Sequence, residues 1–259
     1  MAEDWGEAAP PTATDGFLGG RLLLRQPRKG HRAGTDAVLL AAAAPVDFSG
    51  LAFDIGAGVG AAGLALALMH PAARIGLVEN DPFSAALARD NLALNGLAER
   101  GLVFEADILS RPCRRAAGLL DESASLIITN PPFADPGRAR LSPEPGKRRA
   151  HAMQAEGPRP LAAWIAASLA LLEPGGSIIL IHRPDALPAI LESLAGRAGA
   201  LTILAVHPRR EKAAIRVLVR GRKGSRAPTS IAPPLILHEG TAFTAAAEAL
   251  HQGAAAIHW

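Results

Sequence analysis

The chain contains a single cysteine, Cys113, and no tyrosine at all among its 259 residues. One thiol excludes an intramolecular disulfide framework and any metal site built from clustered cysteines, and it points to a reducing compartment, so a cytoplasmic location is expected. Aromatic residues make up 4% of the sequence. Stacking on a planar ligand therefore has few candidates: seven Phe, three Trp, and the flat faces of His and Arg. No run of about 18 apolar residues free of charge, Pro or Gly occurs, so no membrane-spanning helix is expected. The opening MAEDWGEAAPPTATDG is acidic where an export signal is basic and then apolar. The eight histidines show neither HExxH nor paired ligand spacing, and no Ser-His-Asp order emerges, so metal-dependent chemistry and hydrolysis are without support.

What is present is ample for a buried core. Hydrophobic residues are 49% of the chain, which excludes disorder as its main state and suits one large domain with appendages. The net charge of +3 hides an asymmetry. Residues before Asn130 include 11 basic and 15 acidic side chains, whereas Asn130 onward holds 16 and 9. A polyanionic partner for the second half is one reading, and a solvated basic face is the other.

Residues 1–19, rich in Ala, Pro, Thr and acids without periodicity, read as a flexible lead-in. In segment 20–50, Gly20–Gln26 reads as a short strand, PRKGHR as a basic turn, and Thr35 or Asp36 as the start of an apolar helix that Pro45 stops. From Leu51 short β-rich runs alternate with Ala/Leu-rich helical stretches, the signature of βαβ units. Strands are expected at 52–55, 74–79, 102–105, 125–129, 177–181, 201–206 and 214–219. Helices are expected near 60–69, 83–95, 161–172 and 184–195. The tight HPRREKA connection between the last two strands makes them an antiparallel hairpin. The expectation is an α/β, Rossmann-like domain over 51–226, with a seven-stranded, mostly parallel sheet and an antiparallel edge strand. A C-terminal extension, 227–259, is expected to pack back on it.

Asp54-Ile55-Gly56-Ala57-Gly58-Val59-Gly60 falls where the first of these strands turns into a helix, and its glycines allow close backbone approach to a ligand. A dinucleotide fingerprint fits less well, because the G-x-G-x-x-G frame starts late, at Gly58. An acid in this turn suits a cationic amino-acid ligand better than a pyrophosphate. Glu79 closes the second strand, where a carboxylate accepts from ribose hydroxyls. Asp107 follows the third and can accept from an adenine amine, although a solvated turn acid is the plain alternative. Three acids at successive strand ends favour S-adenosylmethionine (SAM) over NAD.

Asn130-Pro131-Pro132-Phe133 follows the apolar strand SLIIT. A conjugated amine is a poor nucleophile, and alkylating it requires that its lone pair be aimed. The side-chain oxygen of Asn130 and the carbonyl of Pro131 can accept its two hydrogens, on a loop that two prolines stiffen. Phe133 offers a flat face to the target base, worth about 1–3 kcal/mol.

The DIGAGVG, VEND, EADIL and NPPF series resembles the class I SAM-dependent N-methyltransferases of the small methyltransferase domain group. The segment LLLRQPRKGHRAGTDAVLLAAAAP further resembles the opening of the bacterial adenine-N6 methyltransferases that act on valine tRNA beside the anticodon. The resemblance runs from Gly20 to the tail. It implies that Gly34, Thr35 and Asp36 close the cofactor pocket at the methionine end of SAM, where Thr35 or Asp36 would also make a sound helix cap. It places Asp54, Gly56, Gly58, Glu79, Asp107 and Asn130 on cofactor positions, and Asn130, Pro131 and Phe133 on target-amine positions. Many relatives have Tyr where this chain has Phe133, which preserves stacking and removes a hydroxyl. The implied partner is tRNA at its anticodon region, without membrane or metal. The rival acceptors are a guanine N2 in rRNA and a protein glutamine. A non-catalytic SAM- or RNA-binding protein is the rival from another class.

Three basic sets surround these motifs: Arg25, Arg28, Lys29 and Arg32 before the first helix; Arg138, Arg140, Lys147, Arg148 and Arg149 on the long loop after Phe133; and Arg209, Arg210, Lys212, Arg220, Arg222, Lys223 and Arg226 around the last hairpin. Together they are expected to form a phosphate-binding rim around the pocket, the alternative being edges that discourage aggregation. Trp164, on an apolar helix, reads as core.

Overall fold

A computed structural model of the chain describes residues 10–30, 32–132 and 159–259, with side chains from Leu161 in the last stretch. The N-terminal part is an antiparallel hairpin of β1 (Thr12–Phe17) and β2 (Leu22–Pro27), so a strand begins within the expected lead-in. Alternation in β2 explains its place: Leu22 and Leu24 are fully buried while Leu23 faces solvent. Among the described residues the outer edge of β2 has no strand partner, and helix α3 (Pro82–Leu94) supplies a substitute from side chains. Asn91 Oδ1 accepts from Arg25 N at 2.7 Å and its Nδ2 donates to Arg25 O at 2.9 Å. Asn95, just past the helix, repeats this pairing with the N and O of Leu23, both at 2.8 Å. Two amides spaced four apart thus imitate the edge of a neighbouring strand.

Helix α1 (Thr35–Ala42) follows, capped by the extended backbone of Gly34 rather than by a side chain of Thr35 or Asp36. Then come β3 (Leu51–Ile55), α2 (Ala61–Met69), β4 (Arg74–Glu79), α3, β5 (Gly101–Glu105), α4 (Arg111–Ala116) and β6 (Ala124–Thr129). Helix α3 starts at a well-formed cap, with the Asp81 carboxylate accepting from Ser84 N at 2.8 Å and Pro82 in the first turn. After residue 158 lie α5 (Arg159–Leu171), β7 (Leu172–His182), a 3₁₀ turn at Pro184–Ala186, α6 (Leu187–Leu194), β8 (Ala198–His207) and β9 (Arg216–Lys223). Short strands β10 (Ser230–Ile231), β11 (Leu235–Ile236), β12 (His238–Glu239) and β13 (Ala242–Phe243) precede α7 (Ala245–His251).

The main sheet runs β10-β8-β9-β7-β6-β3-β4-β5, with β11 also on β8, nine strands in all. All seven expected strands are present and the fold class is as expected. The reversed strand β9 pairs antiparallel with both β7 and β8, so it stands between them, with β8 and the short strands β10 and β11 beyond it. The crossover through α6 sets β8 two strand-widths from β7, and the return hairpin fills the gap with β9. Neighbouring residues of the central strands point to opposite cores: Leu126, Ile128, Ile179 and Ile181 pack with α1, α2 and the hairpin, whereas Ile127, Ile178 and Leu180 pack with α5 and α6. Cover on both faces is why these strands read as unbroken apolar runs. Leu237, Ala247, Leu250 and Ile257 of the C-terminal extension join the first of these cores.

Candidate functional site

Strand order changes direction at β3: β4 and β5 lie on one side of it, β6 and β7 on the other. Ligands of open α/β sheets bind at the C-terminal strand ends, at such a switch point. Here the tips of β6, β3, β4 and β5 line up side by side and carry, in that spatial order, Asn130, Gly56, Glu79 and Asp107.

The loop after β3 is shaped by three glycines with positive φ: Gly56 at 74°, Gly58 at 57° and Gly60 at 90°. Side chains are strained in that region, and here it turns the backbone amides toward β4. Gly56 N and Ala57 N donate to Val78 O at 2.9 and 3.0 Å. Gly58 N donates to Glu79 Oε2 at 2.8 Å. Gly63 lacks a side chain for another reason, since a Cβ there would lie 2.4 Å from Leu77 Cδ2, and helix α2 could not approach the sheet so closely.

Asp54 differs from the expectation of a ligand-facing acid. Its carboxylate is 3% exposed and accepts from Gly63 N at 2.8 Å, bracing the start of α2. Burial, with the nearby charge of Glu79 acting in the same direction, pushes its pKa up to about 7. Asp54 therefore shapes the loop from beneath.

Glu79 is half-buried and fixed by backbone: Oε1 accepts from Asn80 N and Asp81 N, both at 2.9 Å, and Oε2 from Gly58 N. A carboxylate offers about four acceptor positions, so Oε2 keeps capacity for one more donor. Asp107 is also half-buried; Oδ1 accepts from Leu109 N at 2.9 Å, which leaves Oδ2 for another donor. On the other side of the glycine loop, Asn130 Oδ1 is buried and has no hydrogen-bond partner among the described residues. Unsatisfied buried acceptors are rare and costly, about 1–3 kcal/mol each, and this one stands at the head of the Asn-Pro-Pro turn. Pro131 is buried beside it. Phe133 lies outside the described residues, as do Arg138, Arg140, Lys147, Arg148 and Arg149.

The expected cap over the pocket is tied to other parts of the chain. Both oxygens of Asp36 accept from Arg216 Nε, at 3.0 and 2.8 Å, and Thr35 Oγ1 lies 3.1 Å from His251 Nε2. The His251 ring stacks on Phe243, which stacks in turn on His238. Gly34 is exposed, with open space where a Cβ would stand.

The basic sets separate in space. Because β9 is reversed, residues 208–215 emerge level with His182 at the tip of β7, which puts Arg209, Arg210 and Lys212 on the same rim as the row of acids. All three are exposed and have no ion pair among the described residues. Arg222 and Lys223 pair with Ser177 and Ala198 at the opposite end of the sheet, so the hairpin's cations do not form one rim. Arg28 and Lys29 are exposed on the segment leading into α1, and Arg32 is paired with Asp15 at 2.6 Å. Two open depressions, of about 470 and 370 Å³, lie at the far rim, lined by residues such as Ser123, Glu173 and Arg222, well away from the acids.

Sequence reasoning passed over Asn91 and Thr129. Asn91 is fully buried and, besides holding β2, donates from Nδ2 to Val59 O in the glycine loop at 3.0 Å. Its signal was a pair of asparagines four apart, Asn91 within the helix, where Asn is disfavoured, and Asn95 just past its end.

The fold is that of the class I methyltransferases. The family model described as "Methyltransferase small domain" matches residues 32–142. A tRNA1(Val) (adenine(37)-N6)-methyltransferase of Erwinia tasmaniensis is 36% identical over 131 residues, 50% of this chain and 51% of that one. Its counterpart in Aeromonas hydrophila is 38% identical over 116 residues, 42% and 46% of the two chains. The chain thus spans about half the length of the curated relatives it matches. A solved structure from Agrobacterium tumefaciens, described as a predicted O-methyltransferase, is 35% identical with a TM-score of 0.72, covering 86% of this chain and 98% of that one. A Thermus thermophilus 16S rRNA N2 G1207 methyltransferase, solved with AdoMet and guanosine, has a TM-score of 0.55 at 21% identity, over 84% and 51% of the chains, a likeness of fold. The chain belongs to the same methyltransferase family as the Agrobacterium tumefaciens protein, with the small-domain match confined to residues 32–142.

Proposed function

We propose that this protein transfers a methyl group from SAM to the exocyclic N6 amine of an adenine in tRNA, next to the anticodon, in the cytoplasm. The observation that carries the reading is the orphaned Asn130 Oδ1 at the head of the Asn-Pro-Pro turn, beside the row of strand-tip acids. The residues present fit SAM. Glu79 Oε2 has acceptor capacity for a ribose hydroxyl, Asp107 Oδ2 for the adenine amine, and Gly58 leaves open space at the loop. SAM supplies an electrophilic methyl group.

The chain's own part is to aim the acceptor. Asn130 Oδ1 and the Pro131 carbonyl accept the two amine hydrogens, which turns the nitrogen lone pair out of conjugation and toward the methyl. Phe133 stacks on the base. Positive charge develops on the attacked nitrogen, and fixed oxygen dipoles there stabilise it without reorganisation. The product ammonium is acidic and loses its proton to water, so no resident base is required. Arg28, Lys29 and Arg32, the 138–149 set, and Arg209, Arg210 and Lys212 hold the phosphates of the RNA.

The test offers tritiated methyl-SAM with total tRNA, total rRNA and a protein extract in parallel. Label recovered from tRNA as N6-methyladenosine supports the proposal, and label confined to rRNA or protein overturns the acceptor. Asn130→Ala is expected to slow transfer about 10²- to 10³-fold at saturating SAM. Transfer within a few fold of wild type would show that Asn130 does not grip the amine.

A further inference from the structure

Pairing between β3 and β6 ends at Ile55 opposite Thr129, and each chain then leaves the sheet as a loop: the glycine loop from Gly56 and the acceptor loop from Asn130. One side chain reaches both. Trp164 of α5 is 6% exposed, and its Nε1 donates to Thr129 Oγ1 at 2.9 Å. The Thr129 hydroxyl, fully buried, donates onward to Ile55 O at 2.8 Å. The far edge of the same indole lies under Gly56, where a Cβ would be 2.9 Å from Cζ2 and 3.1 Å from Cη2. Hydrogen bonding therefore continues past the last backbone pair, through a hydroxyl and an indole, and the ring sets a floor beneath the first glycine.

We infer that Trp164 is a positioning residue, which fixes the separation of the two loops and with it the distance from the methyl donor to the acceptor amine. The inference rests on the proposed methyl transfer. Packing alone does not account for the arrangement: filling the core needs no N–H donor, whereas the indole N–H is spent on the residue directly before Asn130. In-line transfer is sensitive to such spacing, and a misplacement of about 1 Å costs about a hundredfold in rate.

Two variants cut the link at different atoms: Thr129→Val keeps the shape, whereas Trp164→Phe also removes the ring edge beneath Gly56. Trp164→Phe deletes the N–H, and Thr129→Val deletes the hydroxyl. Each is expected to lower kcat about tenfold to a hundredfold, with the Kd for SAM within about twofold of wild type. Thr129→Ser is expected to restore kcat. The double variant should be no slower than the worse single one, because both substitutions cut one chain. A purely structural role predicts lower Tm, additive effects and unchanged kcat, and that result would overturn the inference. A second readout needs no acceptor. Addition of SAM should shift the indole N–H proton resonance of Trp164 and leave that of Trp259, held by Ala43 O at 3.1 Å, in place. A Trp164 resonance indifferent to SAM overturns the inference. A shift in a wild-type protein that labels no RNA and no protein supports the linkage and defeats only the methyl-transfer reading.

Discussion

Asp54→Asn isolates the cost of the buried carboxylate under the glycine loop. Asp54 has a pKa of about 7 in the folded protein against an ordinary value of 3.8. The folded state therefore binds the proton more tightly than the unfolded one, and stability falls as pH rises between these two values. Each pH unit in that window removes about 1.4 kcal/mol, and the full span of roughly three units about 4 kcal/mol. Asn is a neutral near-isostere whose side-chain oxygen can still accept from Gly63 N. The two proteins should melt almost together near pH 4, where Asp54 is protonated in the folded state. By pH 8 the Asn variant should be ahead by about 4 kcal/mol. For a chain of this size 1 kcal/mol corresponds to about 2 °C or a little more, so the gap in Tm should open by roughly 8 °C. Thermal melts of both proteins without ligand, from pH 4 to pH 8, measure it directly. A gap that stays flat across that range would mean that the carboxylate is ionised as readily as an exposed one, and the brace would have to be reconsidered.

Asn91→Leu leaves the N–H of Arg25 and the carbonyls of Arg25 and Val59 without their partner, a loss of about 2–4 kcal/mol in urea unfolding. The same variant should become sensitive to trypsin at Arg25 and Arg28, because the hairpin loses its hold on α3. Replacing Arg209, Arg210 and Lys212 together by Ala should weaken RNA binding and reduce the steepness of its salt dependence by about 2, at roughly 0.7 per phosphate contact on a single strand. Arg222→Ala with Lys223→Ala, at the far end of the same hairpin, should leave both quantities unchanged, as measured by filter binding across a salt series.

The sheet was legible because the β3–β9 runs are apolar on both faces and sit between helices with clear starts and stops, such as Asp81-Pro82 and Pro45. Residues 12–17 were not, since TATDGF has little apolar content, and its strand exists only by pairing with β2. The strand-tip acids were correctly placed at the ends of their strands. The direction in which Asp54 points was not recoverable, because a residue adjacent to a turn can face the ligand or the helix, and the absence of a side chain at Gly63 decides between them. Thr129 and Trp164 are 35 residues apart in sequence, and each looks like ordinary core until their contact is seen. The split of the hairpin cations followed from strand direction, which the tight turn already implied.

The reversed strand has a consequence for how this fold can change over evolutionary time. In a purely parallel sheet, every connection at the ligand-binding rim must also launch a helix, so its length and composition are constrained by the packing of that helix. The connection from β8 to β9 launches none. It touches the rest of the protein through few bonds, among them Arg209 Nε to Gly240 O at 3.1 Å, and it ends in a strand whose register is set by β7 and β8. Residues can be inserted, lost or recharged there with little disturbance to the strand tips of β3, β4 and β5. On the proposed function, one antiparallel strand thus separates the inheritance of the reaction from that of its target, which drift in eight exposed or half-exposed positions, 208–215, would redirect.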